Sequence, residues 1–178
     1  MGRKLALFGL AVVITWIAVS AGFSQKAPVV PDLTIIPPDP TLPEEVKALS
    51  GTWTGEWDSR YGWAYTLHVE AVDGESARVV HSWGEYKHSL GGCHCAPNWQ
   101  RVNKAKVTYS EGQATINLVV PSLQSPNGVP HDVSGLADPS RKWWGWSFSF
   151  TVEKNQPTLM KGHFVARRNL RIEMKRVD

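Results

Sequence analysis

The chain has 178 residues, 42% of them hydrophobic and 20% charged, with nine tryptophans, two cysteines and a formal net charge of +3. That length holds one domain with a sizeable core, to which the tryptophans bring much apolar area. Without the basic pair Arg3 and Lys4 near the start, the balance is 3 − 2 = +1, too little to mark a nucleic-acid binder, so nucleic acid is not an expected partner.

Residues 1–24 read as a signal peptide or an N-terminal membrane anchor. Arg3 and Lys4 precede an uncharged run from Leu5 to Ser24, whose length lies between a signal-peptide core and a full membrane span. Val19-Ser20-Ala21 offers a small-x-small cleavage site, and both outcomes place the rest of the chain on the far side of the membrane. The expectation is a periplasmic or secreted protein, or one tethered by an uncleaved helix, touching the membrane only through this segment. No cysteine ends the run, against lipoprotein processing, and Ala6 stands where myristoylation prefers Ser or Thr.

Residues 25–46 form a proline-rich linker, with six of the twelve prolines between Pro28 and Pro43. Proline fixes φ and biases its neighbours toward an extended spacer. A short helical turn is expected over Pro43–Leu49, with Glu44 and Glu45 near its positive end and Val46 and Leu49 covering a barrel mouth.

The domain proper is placed at residues 47–178. It opens on Leu-Ser-Gly-Thr-Trp-Thr-Gly-Glu-Trp, Leu49 to Trp57. Each glycine permits close approach, and Trp53 or Trp57 two residues later on the same strand face can plug the end of a small barrel. The period then becomes two. Tyr65, Leu67, Val69 and Ala71 lead through Asp73-Gly74 to Ala77, Val79, His81 and Trp83; Ala105, Val107 and Tyr109 lead through Glu111-Gly112 to Ile116, Leu118 and Val120. Trp144, Trp146, Phe148, Phe150 and Val152 form the strongest apolar stripe, and two strands follow, with Leu170, Ile172 and Met174 inward. Short turns between about eight strands predict an all-β, antiparallel up-and-down barrel, whose interior side chains or one small ligand can fill; an open sandwich is the fallback.

Two long connections, Gly84 to Asn98 and Pro121 to Arg141, interrupt the pattern and are where function is expected. The second reads as a surface loop or a lid, and adjacent His131 and Asp132 receive no role. The first carries His88-Ser-Leu-Gly-Gly-Cys93-His94-Cys95. Outside the cell Cys93 and Cys95 can close a small disulfide, aided by Gly91-Gly92; the alternatives are inert or intermolecular thiols, or a soft metal site of Cys93, His94, Cys95 and His88, with His81 a further imidazole. The spacing matches no paired metal motif, and neither metal nor cofactor is assigned.

Signatures of hydrolases, zinc proteases, phosphate loops and dinucleotide folds are missing. Glu56, Asp58, Glu70 and Glu85 read as separate solvated carboxylates, so no catalytic residue is named. Lys161, Arg167, Arg168, Arg171, Lys175 and Arg176 against Glu173 and Asp178 make the end of the domain basic, which reads as a solvated outer face. Trp144 and Trp146 read as interior, which leaves Trp143 as a possible exposed platform.

The run Leu49-Ser-Gly-Thr-Trp53, after a helical turn and before about eight strands, resembles the opening of lipocalin and related calycin barrels. That resemblance implies that the tryptophan closes one barrel end against a late arginine, here Arg171 or Arg176. The Thr-Asp-Tyr motif and carboxy-terminal helix of true lipocalins are absent. Ala77 to Gly84 and Trp99 to Val107, added to the paired Gly-x-Trp units, are similar to small exported bacterial domains with no established activity, over most of Leu49 to Val177. The expected function is non-enzymatic binding of a small apolar or amphipathic ligand lined by Trp53, Trp57, Tyr65, Trp83, Trp144, Trp146 and Phe148. A structural or interaction module of the cell envelope holding a protein partner is the alternative, and a metal- or thiol-dependent protein using the Cys93 to Cys95 loop is the third.

Overall fold

The computed structural model describes residues 27–58, 62–85, 97–120, 130–132, 146–165 and 169–177. One helical turn, α1 (Glu44–Lys47), precedes β1 (Gly51–Trp57), β2 (Ala64–Val72), β3 (Ser76–Trp83), β4 (Asn98–Ser110), β5 (Gln113–Val120), β6 (Pro130–Asp132), β7 (Trp146–Glu153), β8 (Gln156–Val165) and β9 (Asn169–Val177). All but β6 pair antiparallel around a ring, which β9 closes on β1. The result is the closed eight-stranded up-and-down barrel that the alternation predicted, with no free edge among the eight.

β6 departs from that reading. It pairs parallel with β4 at Arg101–Lys104. Since β3 holds the other edge of β4 over the same residues, β6 extends the edge on which β5 pairs with Lys106–Ser110. A three-residue strand beginning at a proline, which donates no hydrogen bond, has too little alternation to be read as a strand.

The alternating apolar residues face inward, with two local departures. A bulge between Val69 and Ala71 shifts the phase of β2, so Val72 joins the core where the simple alternation placed Ala71. Tyr109, beyond the last core position of β4 at Val107, is 53% exposed at the rim. Gly55 and Gly162 let β1 and β8 approach β9. A side-chain carbon at Gly55 would meet the backbone oxygen of Glu173, and one at Gly162 would meet Ile172 and lie 2.8 Å from the Phe150 ring.

Two ends result. At one, tight turns join β2 to β3, β4 to β5 and β7 to β8, and α1 lies across the opening with Val46 and Leu49 fully buried. The β2–β3 turn is held by the Asp73 carboxylate, which accepts from the backbone N–H groups of Glu75 and Ser76 at 3.0 and 2.7 Å. At the other end the chain makes its longer connections. Hereafter these are the helix end and the loop end.

The proline-rich stretch does more than space. From residue 30 to residue 36 it crosses the outer wall: Val30 is buried, the Ile36 N–H donates to the Glu70 carbonyl at 2.7 Å, and Arg101 Nη2 donates to the Asp32 carbonyl at 3.5 Å. Beneath it Glu70 is only 2% exposed and takes Arg78 Nε at 3.1 Å and Arg101 Nη2 at 3.2 Å. This corrects the expectation of a solvated Glu70. The bulge lifts its backbone toward the crossing stretch, and two arginines on adjacent strands compensate its charge. Glu56 and Asp58 are exposed as expected, and Glu85 is half-buried.

Candidate functional site

Aromatic rings fill the loop end from three sides. β1 contributes Trp57, the start of β2 contributes Trp63 and Tyr65, β3 contributes His81 and Trp83, and β7 and β8 contribute Phe148, Phe150 and Phe164, all of them buried. Register explains the gathering. Tyr65 is opposite Trp83, Phe148 is opposite Phe164 and Leu118, and Trp57 is opposite Ile172, so inward positions from facing walls converge at one level. Phe148 stacks on Phe164 with centroids 4.5 Å apart, and Tyr65 stacks on Phe150 at 5.6 Å. Trp57 stands at the centre, 5.4 Å from Tyr65 in a T-shaped pair and 5.8 to 6.1 Å from Phe164, Phe148, Phe150 and Trp63. Its backbone is fixed because its N–H donates to Trp63 O at 3.1 Å, while the next N–H, of Asp58, donates to Arg171 O at 2.8 Å.

Polar groups concentrate on one wall of this aromatic interior. The Tyr65 hydroxyl and His81 Nδ1 share a hydrogen bond of 2.9 Å, and Gln100, opposite His81 on β4, is buried beside them. Burial holds the Tyr65 phenol well above its ordinary pKa of 10.0, so the hydroxyl stays neutral. Trp63 Nε1 donates to the Gly84 carbonyl at 3.2 Å. Trp57 Nε1 is different: it is buried and has no hydrogen-bond partner among the described residues. The opposite wall, from β5, β7 and β8, presents Ile116, Leu118, Phe148, Phe150 and Phe164. The interior is therefore amphipathic across its width.

Of the expected lining residues, Trp57, Tyr65, Trp83 and Phe148 belong to the loop-end interior. Trp53 belongs to the helix end: its Nε1 donates to the Leu49 carbonyl at 2.9 Å and its ring carries the Arg176 guanidinium 4.8 Å above. Arg176 also donates to the Ala48 carbonyl, whereas Arg171 is exposed on the outer face. Trp146 begins β7, and Trp143, Trp144, Cys93, Cys95, His88 and His94 lie outside the described residues. Trp63, Phe150, Phe164 and His81 complete the cluster. Phe150 and His81 share strand faces with residues already chosen for the lining, and Trp63 keeps the odd-numbered phase of Tyr65 and Leu67. Phe164 emerges only from cross-strand register with Phe148, which sequence alternation does not supply.

Two surface clefts bounded by described residues sit elsewhere. One of about 390 Å³ is bounded by Glu111, Gly112, Gln113, Glu153, Lys154 and Asn155, and one of about 450 Å³ by Glu44, Lys47, Ala48, Lys154, Pro157 and Arg176. Both are at the helix end, rimmed by charged and polar side chains unsuited to an apolar ligand. No group of three or more His, Cys, Asp or Glu side chains that could hold a metal ion occurs among the described residues. No family model, curated protein or solved structure matches the chain.

Proposed function

We propose that this chain is an exported, non-enzymatic β-barrel protein that binds a small apolar or amphipathic ligand at the loop end of the barrel. The observation that carries the reading is the amphipathic aromatic interior at that end, with the Tyr65–His81 pair on one wall and a phenylalanine wall opposite. An eight-stranded barrel is wide enough for side chains or one small ligand, so binding requires some rings to give way. That limits the ligand to a small, flat body able to replace ring–ring contacts with its own. Export rests on Arg3 and Lys4 before the uncharged run of residues 5–24. The Trp53–Arg176 contact is the arrangement implied by the lipocalin and calycin resemblance, and it supports that kinship for the fold.

Tryptophan fluorescence of the full chain, titrated with 1-anilinonaphthalene-8-sulfonate and with naphthalene, tests the reading. Saturable quenching with a rise in melting temperature is expected; no response to either probe would reject it.

A second reading is favoured by the packing itself. The described interior residues are closely stacked, as a purely structural barrel requires, and a module of the cell envelope would then hold a protein partner by its outer surface. Crosslinking of the full chain in its native membrane separates the two: a specific partner in the absence of any small-molecule binding supports the module.

A further inference from the structure

The indole N–H of Trp57 is the odd group in the aromatic interior. Trp57 is 1% exposed, and its Nε1 has no hydrogen-bond partner among the described residues. Leaving a buried donor unsatisfied costs about 1–3 kcal/mol, and a ring face such as that of Tyr65, the T-shaped neighbour, repays only part through a weak contact. The two other indoles with assigned donors show what the fold does when the donor is structural: Trp53 Nε1 meets Leu49 O at 2.9 Å and Trp63 Nε1 meets Gly84 O at 3.2 Å. Trp57 is held by backbone bonds on both sides of its α-carbon, and the phenylalanine rings around its own ring accept nothing strongly.

Resting on the binding reading above, we infer that Trp57 Nε1 is the ligand-recognition donor, and that the ligand is a planar apolar molecule carrying a neutral hydrogen-bond acceptor, a carbonyl oxygen. Planarity follows from the neighbours, since a flat body can enter between stacked rings such as Phe148 and Phe164 with the least disturbance. Neutrality follows from charge. Among the described residues the loop-end interior has no lysine or arginine, and the inward-facing Arg176 is engaged with Trp53 and Ala48 at the opposite end, so a carboxylate buried among these rings would cost several kcal/mol. Tyr65 is already engaged with His81, so one acceptor on the ligand suits the Trp57 donor, which has no partner among the described residues.

The test compares two probes of nearly the same shape, 2-acetylnaphthalene and 2-ethylnaphthalene, on the full chain. The wild-type protein should bind the ketone about tenfold more tightly than the hydrocarbon, the order expected when an unsatisfied buried donor gains its acceptor. In a nitrogen–proton correlation spectrum, the Trp57 indole signal should move downfield with the ketone and not with the hydrocarbon. Trp57→Phe should bring the two affinities together, and Trp63→Phe should leave the preference in place. Equal affinities in the wild type, or a ketone preference that survives Trp57→Phe, would overturn the assignment of the donor while leaving the barrel a binder. Should Trp57→Phe fail to fold, the indole signal of the wild type decides alone, an unmoved resonance overturning the inference. Binding of neither probe would remove the binding reading, and this inference with it.

Discussion

The two ends of the barrel use the same residue types in opposite ways. At the helix end, Trp53 is tied by its indole nitrogen to Leu49, by its ring to Arg176, and through Arg176 Nη2 to Ala48, contacts that join helix to barrel. At the loop end, Trp57 makes more ring contacts, and its indole N–H has no hydrogen-bond partner among the described residues. One end is joined by polar contacts through its tryptophan, the other by ring packing around its own.

Replacing Arg176 is the most direct way to break this contrast. Arg176→Met keeps the stem but loses the cation over Trp53 and leaves the Ala48 carbonyl without its donor, which should cost about 2–3 kcal/mol by urea denaturation at unchanged m-value. A loss below about 0.5 kcal/mol, within the range of ordinary surface changes, would mean that α1 is held by apolar packing alone. A paired comparison sharpens the difference. Trp53→Phe and Trp57→Phe remove similar ring area, but only the first also loses a hydrogen bond and half of a cation–π pair, so Trp53→Phe should be the more destabilising by about 1–2 kcal/mol. Equal melting temperatures for the two variants would erase the distinction between the ends.

Those expectations show how much of the molecule could be read beforehand. Alternation in β2, β3, β5 and β9 named most of the inward residues, because the period of two is a local property. The phase slip at Glu70, the parallel pairing of β6 and the arrival of Phe164 beside Phe148 depend on which strand lies alongside, and no single stretch of sequence states that. The same limit hid the division of labour between Trp53 and Trp57, four residues apart on one strand face. It also hid Glu70, whose burial under a proline-rich stretch far from it in sequence required the folded wall to exist.

The smallest expected effect concerns the outer wall, which neither end includes. His68 is hydrogen-bonded through Nδ1 to Thr52 Oγ1 at 3.0 Å, and burial lowers its pKa below the ordinary 6.5 while the charge of Glu70 pulls the other way. Well above pH 6.5 the ring is neutral in both folded and unfolded chains. As the pH falls below 6.5 the unfolded chain takes up the proton first, so stability is lost as the pH falls toward the lowered folded pKa. His68→Gln should flatten that part of the stability profile in thermal melts across acidic buffers, and an unchanged slope would place the titration elsewhere.

The ring of strands also has a kinetic side. β9, at Asn169–Val177, must find β1, at Gly51–Trp57, before the barrel can close, and Arg176 reaches Trp53 only through that pairing. Closure therefore waits on one of the longest sequence separations in the domain, a topology that slows folding. Until that seam forms, β1 offers one unpaired edge and its two tryptophans to whatever is nearby, so the interval between synthesis and closure is when this barrel is most exposed to aggregation and most dependent on assistance.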